Sequence, residues 1–322
     1  MLLASLAVLV GFAVLVWGAD RFVIGAAATA RNLGVSPLII GLTVVGFGTS
    51  APEILVGSVA AWLGNPEIAV GNALGSNIAN IGLILGLTAI LVPLTVHSNI
   101  LAREYPLLLL ATLVGAAVIM DGDLNRLDGV ILLVMLGGLL YWIVRVALNE
   151  RGGQDPMSAE FDAEIPEDMA QGRATTWLVI GLVALLASSR LLVWGATEIA
   201  VAFGISDLVI GLTIVAVGTS LPELAASIAS ARKNEPDIAI GNVIGSNMFN
   251  ILAVLGVPVL IQPTAVSAEV LTRDMPLTIG LTVLLYFIAV GNAGHGRITR
   301  MEGGALLAIF LAYQGFLLQG AG

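Results

Sequence analysis

Two polar motifs each occur twice in this chain, inside segments that are otherwise long and apolar. The stretch GLTVVGFGTSAPE (residues 41–53) returns 170 residues later as GLTIVAVGTSLPE (residues 211–223). At the same offset, GNALGSNIANI (71–81) returns as GNVIGSNMFNI (241–251). In lipid, acids, hydroxyls and amides are costly unless they face one another or a bound ion. The duplication therefore predicts that both copies contribute to one site.

The composition restricts the chain to the membrane. It is 58% hydrophobic and only 11% charged over 322 residues, whereas soluble domains carry about 25% charged residues. Several segments exceed the roughly 20 apolar residues that cross a bilayer. The first segment lacks a basic start and runs past the usual length of a signal peptide, so we interpret it as a retained helix. The absence of cysteine excludes thiolate chemistry, and the absence of a basic patch argues against nucleic acid.

We predict an all-α polytopic membrane protein with ten transmembrane helices. The predicted spans are residues 2–30, 37–63, 68–92, 101–120, 127–147, 176–203, 208–231, 238–260, 276–290 and 303–318. They form two five-helix repeats, residues 1–148 and 174–322, joined by an acidic linker at 149–173. Because five is odd, the second repeat enters the membrane from the opposite side. Such inverted repeats are typical of secondary transporters, which bind substrate near the midplane.

The placement of lysine and arginine predicts the orientation. With the N-terminus outside, nine basic residues fall in inner loops or at inner helix ends, and two fall outside. The inner set is Arg31, Arg103, Arg145, Arg151, Arg173, Arg232, Lys233, Arg297 and Arg300, and the outer set is Arg126 and Arg273. Since basic residues favour the cytoplasmic side, we expect both termini outside the cell membrane and the 149–173 linker in the cytoplasm.

The first motif interrupts its helix and brings oxygen atoms to the interruption. Its glycines and proline disfavour a regular helix, and proline removes a backbone donor. Broken backbone at membrane depth is tolerated only where it is buried in protein or lines a cavity. The oxygen-bearing side chains are Thr49, Ser50 and Glu53 in one copy and Thr219, Ser220 and Glu223 in the other.

Two carboxylates with neutral oxygens suit a hard cation such as Ca²⁺, which takes six to eight oxygen ligands. Releasing Ca²⁺ with no replacement leaves two buried negative charges, which is costly. The charge count therefore favours exchange for Na⁺ or H⁺ over a leak.

The second motif supplies further polar atoms. Ser76 and Asn80 are four residues apart and share a helix face, and Ser246 and Asn250 repeat this spacing. Simpler interpretations exist: glycines spaced by four often serve packing alone, and Ser or Asn often form hydrogen bonds between membrane helices. The two glutamates have no basic residue at helical spacing, which disfavours a structural ion pair and favours a functional role.

With GTSAPE/GTSLPE and GNALGSNIAN/GNVIGSNMFN, the chain resembles the Ca²⁺/cation antiporter superfamily, and within it the prokaryotic Na⁺/Ca²⁺ exchangers. The resemblance covers nearly the whole chain. It implies that Glu53 and Glu223 coordinate Ca²⁺ and Na⁺, and that Asn80 and Asn250 face the middle of the site. It also implies alternating access, with the first and sixth helices sliding across the other eight. The hydroxyls implied as Na⁺ ligands are Thr49, Ser50, Ser76, Thr219, Ser220 and Ser246.

The expected function is Na⁺/Ca²⁺ antiport. The alternatives are a Ca²⁺/H⁺ antiporter on the same fold and a Ca²⁺-permeable channel, and an enzyme is disfavoured. In some relatives, including K⁺-dependent ones, an aspartate replaces Asn250, so the asparagine argues against K⁺ co-transport. We expect no cofactor, the ions Ca²⁺ and Na⁺ (or H⁺) as substrates, the lipid bilayer as surroundings, no nucleic-acid partner, and a monomer.

Overall fold

The first half of the chain is mostly helical in its described residues. The computed structural model describes residues 1–33, 50–96, 98–149, 169–232, 236–290 and 296–319. The helices of this half are α1 (Leu2–Asn32), α2 (Ala51–Trp62), α3 (Pro66–Leu91), α4 (Ser98–Ile119) and α5 (Arg126–Asn149). Two short strands lie between them, β1 (Leu94–Val96) and β2 (Asp123–Leu124).

The second half follows a similar order. Its helices are α6 (Gln171–Phe203), α7 (Asp207–Thr219), α8 (Leu221–Arg232), α9 (Pro236–Phe249, continued by Asn250–Val254 and Gly256–Ile261), α10 (Val270–Asp274 continued by Met275–Val290) and α11 (Arg300–Gln319). Its strands are β3 (Thr264–Ala265) and β4 (Gly296–Ile298). Two pairs of elements keep the offset of the motifs: α8 begins and ends 170 residues after α2, and the first section of α9 does so after that of α3.

Six helices in the described residues are long and apolar enough to cross a membrane, namely α1, α3, α6, α9, α10 and α11. Helices α7 and α8 together pass the same test, although they are bent by 42° at the break between them. The prediction of an all-α, multi-pass membrane protein is therefore confirmed, with four short strands as its only described β structure. The count of ten stays a prediction, because residues 34–49 lie outside the described residues.

Helix α10 begins six residues before the predicted start of its span. The reason is that two charged residues at its start neutralise each other: Arg273 Nε lies 2.6 Å from Asp274 Oδ1. The hydroxyl of Tyr313, on α11, donates to the same carboxylate oxygen at 2.7 Å. With these partners the fully buried Asp274 is accommodated inside the helix. Helix α6 begins at Gln171, five residues before the predicted start of its span.

Helices α1 and α6 pack against each other in opposite directions. Gly11, Gly18 and Gly25 of α1 face Leu192, Ala184 and Leu178 of α6 in turn. A Cβ atom at Gly25 would overlap the backbone of Leu178, so these glycines allow the close approach that small residues give membrane helices. The two helices share a hydrophobic cluster with parts of α2 and α7, distinct from the main core around α3, α4 and α9.

The short strands join the two halves reciprocally. Strand β1 pairs antiparallel with β4, and β2 pairs antiparallel with β3. Helix α3 also contacts the second half directly, since Gly71 and Gly75 lie against the backbone of Leu208 and Leu212 on α7. Gly71 and Gly75 therefore serve the close packing that their spacing suggests, whereas a Cβ atom at their counterparts Gly241 and Gly245 would meet no backbone within 4 Å.

Candidate cation site

Both motif glutamates lie in the first turn of a helix. Glu53 is on α2 and Glu223 is on α8, and each has a proline one residue before it. Proline fits the first turn because the backbone N–H it lacks has no partner there. Since these N–H groups give a helix start a partial positive charge, the position favours an acid. Both glutamate side chains are only 1% exposed.

The two acids come from different halves and meet in the interior. Ser220, at the break between α7 and α8, donates its hydroxyl to Glu53 Oε1 at 3.4 Å. Because Ser220 lies only three residues before Glu223, this bond brings Glu53 next to the start of α8. In the described structure, Glu53 Oε2 and Glu223 Oε2 are buried and have no hydrogen-bond partner. Two carboxylates are thus held near each other with oxygens left free of protein donors.

The second motif lies on α3 and α9, in the walls beside these acids. Asn80 and Asn250 each begin a π-helical turn, Asn80–Leu85 and Asn250–Val254. Such turns are frequent at functional sites. Asn80 Nδ2 donates to Asn247 Oδ1 at 2.9 Å across the two halves. This bond engages the nitrogen of Asn80 and leaves its Oδ1 as a buried oxygen without a partner among the described residues.

Nine of the ten predicted site residues lie in the described structure, and all nine are buried. They are Ser50, Glu53, Ser76, Asn80, Thr219, Ser220, Glu223, Ser246 and Asn250. Thr49 lies outside the described residues. Among the described residues, no group of three or more His, Cys, Asp or Glu side chains could hold a metal ion. The polar cluster therefore offers two carboxylates together with hydroxyl and amide oxygens.

Sequence reasoning missed several asparagines of the same motif. Asn72 Nδ2 donates to the backbone carbonyl of Glu53 at 3.2 Å, and Asn72 Oδ1 accepts from Thr219 and Ser76. Its counterpart Asn242 donates to the carbonyl of Glu223 at 3.4 Å. Their recurrence at the same motif position in both halves was the available signal. Asn77 and Asn247 are also fully buried or nearly so.

Several buried oxygens of this polar cluster have no hydrogen-bond partner among the described residues. A buried polar group without a hydrogen bond costs about 1–3 kcal/mol, and a charged one costs more. Within this cluster, the buried oxygens without a partner among the described residues are Ser50 Oγ, Glu53 Oε2, Asn77 Oδ1, Asn80 Oδ1, Glu223 Oε2 and Asn250 Oδ1. Oxygen ligands of this mixed kind are those that hard cations bind.

Comparison with known proteins assigns the chain to a family. The signature of the family described as "Sodium/calcium exchanger protein" matches residues 3–145 and 173–319. The chain belongs to the sodium/calcium exchanger family. This membership confirms the resemblance seen in the motifs, and it makes the protein a cation antiporter of a transporter family rather than a member of an enzyme family.

Relatives of this exchanger match it over nearly their whole length. CaxA of Alkalimonas amylolytica is 50% identical over 98% of both chains. The inner membrane protein YrbG of Escherichia coli is 43% identical, over 97% of this chain and 98% of YrbG. The sodium/calcium exchanger MaX1 of Methanosarcina acetivorans is 32% identical over 96% of both chains.

A solved structure shares the fold. The sodium-calcium exchanger NCX_Mj, soaked with Na⁺ and Sr²⁺, superposes with a TM-score of 0.65 at 36% identity. The alignment covers 97% of each chain. The helical membrane fold of the present exchanger is therefore that of a known prokaryotic Na⁺/Ca²⁺ exchanger.

Proposed function

We propose that this protein exchanges Ca²⁺ for Na⁺ across the cell membrane by alternating access, at one central site built around Glu53 and Glu223. The observation that carries the proposal is the meeting of two buried first-turn glutamates from opposite halves, with Ser220 donating to Glu53 across them. Membership of the sodium/calcium exchanger family and the likeness to NCX_Mj support the choice of ions.

Charge balance explains why such a site would exchange ions. Two ionised carboxylates neutralise one Ca²⁺, so the loaded site has no net charge from these groups. Losing the ion alone would leave two negative charges in a region of low dielectric, which is strongly unfavourable. Entry of Na⁺ compensates these charges, and the oxygens of the site again coordinate a cation. Release of one ion is thereby coupled to binding of the other.

The oxygen atoms of the proposed site also bear on the two alternative functions, a Ca²⁺/H⁺ antiporter and a Ca²⁺ channel. A proton needs only the carboxylates, whereas Na⁺ needs several oxygen ligands, and the site offers hydroxyls from Ser50, Ser76 and Thr219 beside the acids. This favours Na⁺ over H⁺ as the counter-ion. A Ca²⁺ channel needs ligands that face a water-filled pore, and both glutamates are closed off from solvent.

The strand pairs support the topology that we propose. Paired strands must lie on the same side of the membrane, so an even number of spans must separate them. Between β2 and β3 the chain passes α5, α6, α9 and the bent pair α7–α8. The number is even only if the bent pair is one crossing. Between β1 and β4 the same count gives six. These parities fit ten spans and oppose a re-entrant hairpin.

Antiparallel packing of α1 against α6 is what inverted repeats require, since these are the first helices of the two repeats. Gly11, Gly18 and Gly25 bring α1 close against α6. This close packing supports movement of α1 and α6 as a unit past the other helices. With the basic residues placed as the sequence suggests, we propose both termini outside and the linker in the cytoplasm. Because one chain supplies both acids, we propose a monomer.

Radioactive Ca²⁺ uptake into proteoliposomes tests the proposal. Vesicles are loaded with Na⁺, or prepared with only a pH gradient, or with no gradient, and ⁴⁵Ca²⁺ is added outside. We expect uptake only when Na⁺ is inside. Uptake driven by the pH gradient alone would establish the H⁺ antiporter instead. Uptake with no counter-ion gradient would indicate a channel.

A further inference from the structure

One asparagine connects three residues of the proposed site. Asn72, on α3, is fully buried. Its Nδ2 donates to the backbone carbonyl of Glu53 at 3.2 Å. Its Oδ1 accepts from Ser76 Oγ at 3.4 Å and from Thr219 Oγ1 at 3.2 Å. Since Thr219 belongs to the other half, this amide joins the two halves beside the acids.

The hydrogen-bonding capacity of Asn72 argues against a role as an ion ligand. An amide oxygen has two lone pairs, and both are used by the hydroxyls of Ser76 and Thr219. No lone pair of Oδ1 is left for a cation. Asn72 therefore differs from Asn80, whose Oδ1 has no partner among the described residues.

The direction of these bonds matters for the hydroxyls. A hydroxyl group has one proton and two lone pairs, and it can bind a cation only with a lone pair. A proton held by an acceptor behind the hydroxyl points away from the ion. Partners of this kind, one step behind the ligands, orient them, and their loss typically lowers metal affinity about 10- to 100-fold.

We propose that Asn72 is a positioning residue for Na⁺: it holds the hydroxyl protons of Ser76 and Thr219 so that the oxygen lone pairs face the cation. This inference rests on the proposed exchange of Na⁺ for Ca²⁺. It assigns to Asn72 an effect on Na⁺ affinity that neither burial nor packing alone would produce.

The two hydroxyls depend on Asn72 to different degrees. Thr219 Oγ1 also reaches the backbone carbonyls of Val215 at 3.0 Å and Ala216 at 3.4 Å. Within the described part of the chain, Asn72 Oδ1 is the one acceptor that Ser76 reaches. The orientation of Ser76 is therefore the more sensitive to substitution of Asn72.

A double-mutant cycle on the Na⁺ dependence of Ca²⁺ efflux separates this role from a structural one. Asn72→Leu and Ser76→Ala are expected each to raise the half-saturating Na⁺ concentration by about tenfold, the low end of the range for such partners. If Asn72 acts through Ser76, the double variant shows little further increase beyond either single variant. Independent effects would multiply to about a hundredfold and overturn the proposal.

The control is Thr112→Ala, which removes a buried hydroxyl that donates to the carbonyl of Leu108 within α4. Its effect must be the same in the wild-type and Asn72→Leu backgrounds. If Asn72→Leu does not yield folded protein, Asn72→Ala takes its place in the cycle with the same expectation.

A conservative variant gives an independent check. Asn72→Asp keeps an acceptor oxygen for Ser76, so its half-saturating Na⁺ concentration should return to the wild-type value or below. A value as high as that of Asn72→Leu would contradict the proposal. A wild-type protein without Na⁺-driven Ca²⁺ flux would overturn the proposed function. A working wild type with multiplying effects would overturn only the role of Asn72.

Discussion

Replacing Glu53 by glutamine removes one charge from the proposed site and almost no volume. The side chain is 1% exposed, its Oε2 has no partner in the described structure, and its Oε1 has only the 3.4 Å bond from Ser220. No cationic side chain in these contacts balances the carboxylate, so we propose that the bound ion does so. On this proposal, the charge that glutamine removes is one that Ca²⁺ neutralises.

The expected loss can be worked out from Coulomb's law. Two unit charges about 4 Å apart interact by about 4 kcal/mol at an effective dielectric of about 20, and a divalent ion doubles this value. If the amide oxygen of glutamine recovers about half of this interaction energy with Ca²⁺, a loss of about 4 kcal/mol remains. This corresponds to a Ca²⁺ affinity about 10³-fold lower. Glu223→Gln should behave in the same way.

Thermal unfolding in detergent measures this loss without transport. A ligand at 100 times its Kd stabilises a protein by about 2.7 kcal/mol. At the same Ca²⁺ concentration, a Kd raised 10³-fold leaves less than about 0.1 kcal/mol. We therefore expect Ca²⁺ to raise the melting temperature of the wild type and to leave that of Glu53→Gln unchanged.

A matched control is Glu67→Gln, which changes an exposed glutamate in the first turn of α3. Its melting temperature should still rise with Ca²⁺ as in the wild type. A Glu53→Gln protein with near-normal Ca²⁺ stabilisation and near-normal ⁴⁵Ca²⁺ flux would refute the reasoning, because the charge would then have no role at the site.

Three further predictions follow from particular contacts. First, Asn80→Leu and Asn247→Leu should each weaken Ca²⁺ binding in titrations. The double variant should bind Ca²⁺ little more weakly than either single variant, because each substitution breaks the same 2.9 Å bond. Fully additive losses of binding free energy would contradict a shared role. Second, Gly25→Ala should lower thermal stability by about 1–3 kcal/mol, because the added Cβ atom overlaps Leu178. Its control is Gly138→Ala, on an exposed face of α5, which should leave stability unchanged. Equal melting temperatures for the two variants would argue against close α1–α6 packing. Third, Tyr313→Phe should destabilise by about 1.5–3 kcal/mol, because buried Asp274 loses a 2.7 Å donor, and the exposed Tyr141→Phe is its control.

The parts that the sequence predicts are those governed by local pattern. Long apolar runs determine the helices, and the motifs identify Glu53 and Glu223 because a buried acid in lipid is costly. The early start of α10 was missed because its buried Asp274 is stabilised by Tyr313 as well as by Arg273, and Tyr313 lies 39 residues further along the chain. The partners of Asn72 were missed for a similar reason, since Thr219 is 147 residues away. Whether the oxygen or the nitrogen of an asparagine side chain faces a given neighbour depends on tertiary contacts, and the spacing of residues in the sequence does not reveal it.

The strand pairs show the same limit. Each strand has only two or three residues, too few for an alternating pattern to stand out beside the apolar spans. Their pairing arises because the fold brings together loops from opposite halves. The parity argument for ten spans was therefore accessible only from the structure.

Equilibrium binding of ⁴⁵Ca²⁺ to the purified protein tests the central claim, that both halves build one exchange site, most directly. We expect one Ca²⁺ per chain, displaced by Na⁺, and nearly complete loss of binding in Glu53→Gln and in Glu223→Gln alike. Two Ca²⁺ ions per chain, with each variant retaining one, would contradict a shared site and would assign each half a site of its own.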